Sequence, residues 1–389
     1  PCLYTSWSGP LCSRYIVPPV MKVLMVADAR SIHTRRWAVS LRSKGVDIVL
    51  YSIFPSPDSF FGDHDIRLYV FDLFTYRKLS GIRSVAAMIA AHSRAVRDLK
   101  SVIRAEAPDI LHAHYATSFG LIAALSGFHP FIMSVWGSDV YEFPEMSVIN
   151  RESVKYIFRK ADKILSTSHV MARHASRYTD KPMSITPFGV DTGLFRKANA
   201  VKRDPDCFVV GNVKTLAPKY GIDVLIRAYH LFIHRNPGLD SRLVIIGEGP
   251  CREEYVRLAD ELGIGSKVEF VGKIPNSDLP VWYNSFSVSV SLSDSESFGV
   301  VAVEAMACEC PVVVSDADGF TEVVKDGVTG FIVPKRNPEA AAKAIQKFVD
   351  DPSLRETMGA SGRERVKALY DWEDNVDGMI NIYKSVSNV

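Results

Sequence analysis

No apolar run in this chain of 389 residues approaches the roughly 18 residues that a membrane-crossing helix needs. The sequence therefore predicts no transmembrane segment. Cysteine is scarce: six are scattered along the chain, and only Cys308 and Cys310 stand close, with a single residue between them. Zinc pairs use a spacing of two or more, so neither a closed zinc site nor a disulfide framework is expected, and a reducing cytoplasm is the predicted location. Charge of one sign is also missing, with 46 Lys and Arg against 44 Asp and Glu. That balance gives no reason to expect a nucleic-acid partner.

What is present is the composition of a packed protein: 47% hydrophobic residues and 23% charged. The length suits two domains of roughly 150 to 200 residues each. Residues 1–20 carry Trp7, Gly9, Pro10, Pro18 and Pro19 without periodicity, and no apolar stretch of a secretory signal precedes Met21. They are expected to be a non-native or disordered leader. The near-neutral total hides an asymmetry, because residues 1–197 hold 25 Lys and Arg against 16 Asp and Glu, and the rest hold 21 against 28. Either the first half has a basic face for anionic partners, or the halves simply have differently charged solvated surfaces.

Short runs rich in Val, Ile and Leu recur with helical stretches between them: Val23–Ala27, Ile48–Ile53, Ile66–Phe71, Ile110–His114, Phe131–Val135 and Lys163–Thr167. Little alternation appears within them, as expected for parallel strands covered on both faces. After the polar stretch Lys197–Asp206 the rhythm restarts with Phe208–Val213, Leu243–Ile246, Val268–Val271, Val288–Ser291 and Val312–Ser315. The expected fold is α/β, with two Rossmann-like doubly wound domains, 21–196 and 197–370, facing across a cleft. Trp372, Val376, Met379, Ile380 and Tyr383 fall near helical spacing, so the last segment, 371–389, is expected to form a helix that packs back on the first domain.

The most informative segment runs from Ser293 to Ala307. Its polar residues give way at Gly299 to a stretch apolar on nearly every side, which predicts a buried helix. The first turn of such a helix offers unpaired N–H groups and a positive dipole end, a cradle for a diphosphate, with Gly299 permitting close approach. Glu304 lies about 7.5 Å along the axis from Gly299, leaning back toward that end. A buried carboxylate there needs hydrogen-bond donors: ribose hydroxyls in one reading, a backbone amide or Lys in the other. Glu296, in the loop before the helix, either holds hydroxyls of a transferred sugar or is a solvated loop charge.

Two glutamates with seven residues between them, around Ser297-Phe298-Gly299-Val300 and followed by Ala305-Met306-Ala307, resemble the signature of the family 4 retaining glycosyltransferases, of GT-B fold. The resemblance extends through Phe188-Gly189-Val190-Asp191, Ile246-Gly247-Glu248-Gly249-Pro250, Phe270-Val271-Gly272, Gly319-Phe320-Thr321-Glu322 and Asp326-Gly327-Val328-Thr329-Gly330. It covers nearly all of 21–389. It implies that Lys214 and Lys219, after the first strand of the second domain, bind the donor diphosphate, although Tyr220 stands where many relatives place the lysine before the glycine. It further implies that Gly247, Gly272, Lys273 and Ile274 line the base pocket, that Ser297, Phe298, Gly299 and Val300 meet the donor, and that Glu304 takes the ribose.

On the first domain, alternation puts His112 and His114 on one strand face, with His114 nearer the carboxyl end. His114 matches the family histidine that contacts the transferred sugar, with a satisfied core histidine as the alternative. Trp136 and Asp139 follow the next strand on the expected cleft rim. Asp139 suits an acceptor hydroxyl or a helix N-cap. The loop Asp28–Trp37 replaces the glycine-rich loop of many relatives, and its Arg35 and Arg36 are candidates for an anionic acceptor or a helix start. Tyr76, Arg77, Lys78, Arg83, Arg94, Arg97, Lys100 and Arg104 interleave with Ile82, Val85, Ala86, Met88, Ile89 and Val96, a pattern suiting either peripheral contact with anionic lipid or a solvated face over a buried stripe.

The resemblance offers no dedicated carboxylate nucleophile, so retention is expected through same-face substitution, with Lys214, Lys219, Glu296 and His114 as the catalytic set. A UDP-sugar is expected ahead of a GDP-sugar, with a glycan, lipid-linked or small-molecule acceptor. No cofactor and no essential metal are expected, although Asp63-His64-Asp65 and Asp316-Ala317-Asp318 have metal-like spacing. The alternatives are a GT-B nucleotide-sugar epimerase or hydrolase, and a catalytically silent sugar-nucleotide binding protein.

Overall fold

A computed structural model describes residues 21–73, 85–198 and 206–387. Seven parallel strands form the first sheet: β1 (Lys22–Val26), β2 (Asp47–Ser52), β3 (Arg67–Val70), β4 (Ile110–His114), β5 (Phe131–Val135), β6 (Lys163–Ser166) and β7 (Met183–Ile185). Their order is β3-β2-β1-β4-β5-β6-β7. The second sheet has six: β8 (Phe208–Val213), β9 (Ser241–Ile246), β10 (Val268–Gly272), β11 (Val288–Ser291), β12 (Val312–Ser315) and β13 (Gly330–Val333), in the order β10-β9-β8-β11-β12-β13.

The lack of alternation in the strands has a direct cause in the packing. In β1, Leu24 and Val26 enter one core layer while Val23 and Met25 enter the layer on the opposite face, and all four are fully buried. β9 repeats the arrangement, with Leu243 and Ile245 on one side and Val244 and Ile246 on the other. Helices cover both faces, so the central strands β4, β5, β11 and β12 are buried at every position, while the edge strand β3 exposes Arg67 and Val70.

The order reverses between β1 and β4 in the first sheet and between β8 and β11 in the second, and ligands of open parallel sheets bind at such switch points. The chain returns to its first half at Tyr370. There Val190 donates to the Tyr370 carbonyl at 2.8 Å and Trp372 donates to the Val190 carbonyl at 2.9 Å. The final helix, Trp372–Val386, then lies on the first domain, with Trp372 tilted against Trp37 at 4.5 Å and the Tyr383 hydroxyl 2.8 Å from His112 Nδ1.

Part of the basic segment differs from expectation. In the helix Val85–Glu106, Ala91, Ala95, Val96, Leu99 and Val102 make the buried stripe, while Met88 and Ile89 are exposed. Tyr76, Arg77, Lys78, Ile82 and Arg83 lie outside the described residues, as do the side chains of Val85 and Ala86 and the whole of 1–20. No helix of the described residues is long and apolar enough to cross a membrane.

Candidate functional site

Two adjoining chambers open between the sheets. The larger, about 700 Å³, has a second-domain wall that includes Lys214, Gly247, Lys273, Ile274, Glu296, Ser297, Phe298, Val300 and Glu304. Its opposite wall comes from the first domain: Ser31, Ile32, His33, Tyr115, Trp136 and Phe188. The smaller, about 160 Å³, is bounded by Tyr115, Trp136, Ser138, Tyr141 and Glu142 from the first domain and by Lys219, Tyr220 and Ser295–Ser297 from the second. Glu296 and Ser297 belong to both.

The helix Val300–Ala307 starts at Gly299, whose φ of +102° lies in the left-handed region. A side chain there would strain the backbone and bring a Cβ within 2.8 Å of the Phe320 ring, so glycine is required on both counts. The first turn of this helix faces the larger chamber through Val300 and Val301. Gly247 is more constrained still: at φ +141°, a Cβ would sit 1.9 Å from the Lys214 carbonyl oxygen, so this glycine lets the β9 loop press against the Lys214 loop.

Lys214 Nζ lies 2.5 Å from Glu296 Oε2, and both side chains are mostly buried. Lys214 also sits 4.7 Å above the centre of the Tyr220 ring. Tyr220 is thus a wall of both chambers that backs the cation. Lys219 is half exposed and reaches across to Glu142 of the first domain at 3.6 Å. Of these two lysines, Lys214 lines the larger chamber and Lys219 the smaller, and Glu296 and Ser297 are shared by both.

Glu304 is buried, and its oxygens accept from Asn276 Nδ2 and from the Tyr283 hydroxyl, each at 3.0 Å. Burial raises its pKa above the ordinary carboxylate value, opposed by these two donors and by Arg36 and Lys214. These partners lie 28 and 21 residues away, and sequence reasoning missed both. The only signal was the need of a buried carboxylate for donors.

The first-domain assignments change more. Asp139 is fully buried and accepts from the backbone N–H groups of Ala116 at 2.8 Å, Gly137 at 2.7 Å and Trp136 at 3.1 Å. It ties the loops after β4 and β5 together and is not placed to orient an acceptor. Arg35 is held by a bidentate pair with Asp58, at 2.8 Å on each oxygen, and by the Ala29 carbonyl. Arg36 donates to the Gly189 carbonyl and lies 3.7 Å over the Trp372 ring, and burial lowers its pKa to about 10. Neither arginine bounds a chamber, because the helix Ile32–Ser43 turns both toward protein partners.

His114 bounds neither chamber. It is buried one ring behind Trp136, at 4.6 Å between centroids, with its Nδ1 unpartnered and its pKa lowered by burial to about 3. His112 is a core histidine, bonded to Ser134 at 2.7 Å and to Tyr383. The residues that do face the larger chamber from this side include His33, stacked on Phe188 at 4.2 Å, with its pKa lowered to about 4, first by burial and then by Arg36. Tyr115, at φ +77°, carries its hydroxyl to Ser138. A bulky residue held in the left-handed region marks a site where the surroundings fix a side chain at some cost.

Among the described residues, no group of three or more His, Cys, Asp or Glu side chains could hold a metal ion. Of the metal-like pairs, Asp65 bonds Arg42, Asp63 accepts from Ser59, and Asp316 accepts from the Lys335 N–H.

Comparison with known proteins places this cleft in context. The model of the glycosyl transferases group 1 matches residues 195–365, and that of the glycosyl transferase 4-like domain matches residues 22–168. A D-inositol 3-phosphate glycosyltransferase of Kribbella flavida is 32% identical over 326 residues, 74% of this chain and 75% of the relative. Among solved structures, a sucrose-phosphate synthase from Thermosynechococcus elongatus superposes with a TM-score of 0.77 at 23% identity, covering 94% of this chain and 98% of that one. Anabaena HepE in complex with UDP-glucose superposes at 0.74 with 18% identity, covering 94% and 100%. These two likenesses show the GT-B fold.

Proposed function

The chain belongs to the glycosyl transferases group 1 and is a glycosyltransferase, and we propose that it moves a hexosyl unit from a UDP-sugar to an acceptor hydroxyl with retention of configuration. The observation that carries this reading is the Lys214–Glu296 pair beside the first turn of the helix that starts at Gly299, all on one chamber wall. A diphosphate on that turn meets N–H groups and a positive dipole, and Lys214 adds a full charge. The UDP-glucose in the HepE complex supports a uridine donor.

In this reading the base lies between Gly247 and the Gly272-Lys273-Ile274 backbone, with the ribose near Glu304. As the bond from the anomeric carbon to the leaving oxygen breaks, negative charge grows on the diphosphate, and Lys214 and Lys219 stabilise it. The departing oxygen takes the acceptor's proton while the acceptor oxygen bonds the anomeric carbon on the same face, so configuration is kept without a covalent intermediate. Glu296, released from Lys214, holds hydroxyls of the transferred sugar. The lysines supply the charge a metal would, so no metal is required.

The test is a thermal-shift panel of UDP-, GDP- and ADP-sugars, followed by turnover with and without acceptor and assignment of the product anomer by NMR. Donor cleavage that ignores the acceptor would point to a hydrolase or epimerase, binding without cleavage to a silent binder, and an inverted product would refute same-face substitution.

A further inference from the structure

The two walls of the cleft differ in chemistry. Among the described residues, the lysines come from the second domain, Lys214 and Lys273 in the larger chamber and Lys219 in the smaller. Among the described residues, the one charged side chain that the first domain gives to either chamber is acidic: Glu142, in the smaller one. Around it the wall is aromatic and hydroxylated. Trp136 is held edge-on by Phe188 at 5.4 Å, and Tyr115 is fixed by its hydroxyl bond to Ser138 and by its own N–H, which donates to the Ser134 carbonyl at 2.9 Å. These contacts fix both rings on the wall.

We propose that the smaller chamber is the acceptor subsite and selects an uncharged polyol, a sugar ring without a phosphoryl group. The inference rests on the transferase reading above. A rigid aromatic wall matches the C–H face of a sugar, while the Glu142 carboxylate and the Ser138 hydroxyl accept from its hydroxyls. A carboxylate acceptor rewards neutral donors and repels anions. A phosphoryl ester would bring a charge of about −1.5 to −2 against Glu142, whose partner Lys219, 3.6 Å away, turns to the donor diphosphate in the transferase reading. Arg35 and Arg36, the cations that sequence analysis offered to an anionic acceptor, are fastened to Asp58, Gly189 and Trp372.

The experiment compares matched acceptors with UDP-glucose or whichever sugar nucleotide the panel selects: methyl glucoside with glucose 6-phosphate, and myo-inositol with myo-inositol 1-phosphate. Acceptor-dependent UDP release should give kcat/KM at least tenfold higher for the neutral member of a pair. Glu142→Gln should raise the KM for the neutral acceptor with kcat held, and Glu142→Lys should move the neutral-to-phosphorylated ratio at least tenfold toward the phosphorylated member. A wild-type preference for the phosphate ester, no stimulation by either member while donor still binds, or an unchanged ratio in Glu142→Lys would overturn the proposal. Failure of every sugar nucleotide to bind sinks the donor reading, and this inference with it.

Discussion

Glu322, from the helix Asp318–Val323 in the second domain, accepts the backbone N–H of Val170 at 2.9 Å, and its other oxygen accepts that of His169 at 3.0 Å. Those N–H groups open a first-domain helix, His169–Ala175, so a carboxylate from one domain caps a helix of the other. The residue just before them, Ser168, donates its hydroxyl to the Ser297 carbonyl at 2.9 Å, inside the loop that both chambers share. Closure of the cleft and the shape of the donor loop are therefore joined at one seam.

Glu322→Ala should loosen that seam. Hydrogen bonds to a charged group contribute about 1.5–3 kcal/mol, which is at least a tenfold change in the closure equilibrium. The expected outcome is a larger radius of gyration by small-angle X-ray scattering and a kcat reduced about tenfold, with donor affinity less affected. An unchanged scattering profile would mean that the remaining contacts, the Ser168–Ser297 hydrogen bond and the Lys219–Glu142 pair among them, hold the domains together without Glu322.

Acid should unfold this protein early. His33, His112 and His114 are buried and kept neutral, the first to about pH 4 and the last to about 3. Their folded pKa values are depressed, so the stability they contribute is present above the unfolded value near 6.5 and is lost as pH falls toward 4. With all three unprotonated in the fold, the loss approaches about 4 kcal/mol per pH unit. Glu304 and Asp139, raised by burial, oppose it. Urea titrations at pH 7.5, 6 and 5 should show the decline, and His33→Asn should flatten it by about a third. Parallel curves for variant and wild type would exclude His33 from the effect.

Removing a lysine should cost more than removing metal. Loss of one oxyanion stabiliser typically lowers kcat by about 10²- to 10³-fold, and Lys214→Ala and Lys219→Ala are each expected in that range. Activity should persist in EDTA. Lys214, paired with Glu296, should also affect donor affinity, whereas Lys219, at the edge beside Glu142, should act mainly on kcat. Turnover abolished by chelation and restored by magnesium or manganese would refute the metal-free mechanism.

Glu304→Ala leaves the Tyr283 hydroxyl and Asn276 amide without their acceptor, at a cost of about 1–3 kcal/mol in stability. Donor affinity should fall with it, since ribose hydroxyls are present in ground and transition states alike. Glu304→Gln keeps one carbonyl acceptor and should lose less of both. A stably folded Glu304→Ala variant that binds UDP as the wild type does would remove the ribose from this residue.

Local sequence determined the parallel sheets, because stretches buried on both faces must be apolar, and Val23–Val26 of β1 and Leu243–Ile246 of β9 are. It also determined the buried helix after Gly299, since an apolar run behind a glycine leaves few other structures, and the need of Glu304 for partners. It did not reveal which partners. Asn276 and Tyr283 satisfy Glu304, three backbone N–H groups occupy Asp139, and Asp58 and Trp372 claim Arg35 and Arg36. Each of these side chains carried a plausible ligand-binding role when read alone, because charge and hydrogen-bonding capacity are properties of a residue. Whether that capacity is spent inside the protein or left facing a cleft depends on groups distant in sequence that only the packed chain brings into contact, because hydrogen bonds weaken steeply beyond about 3.2 Å.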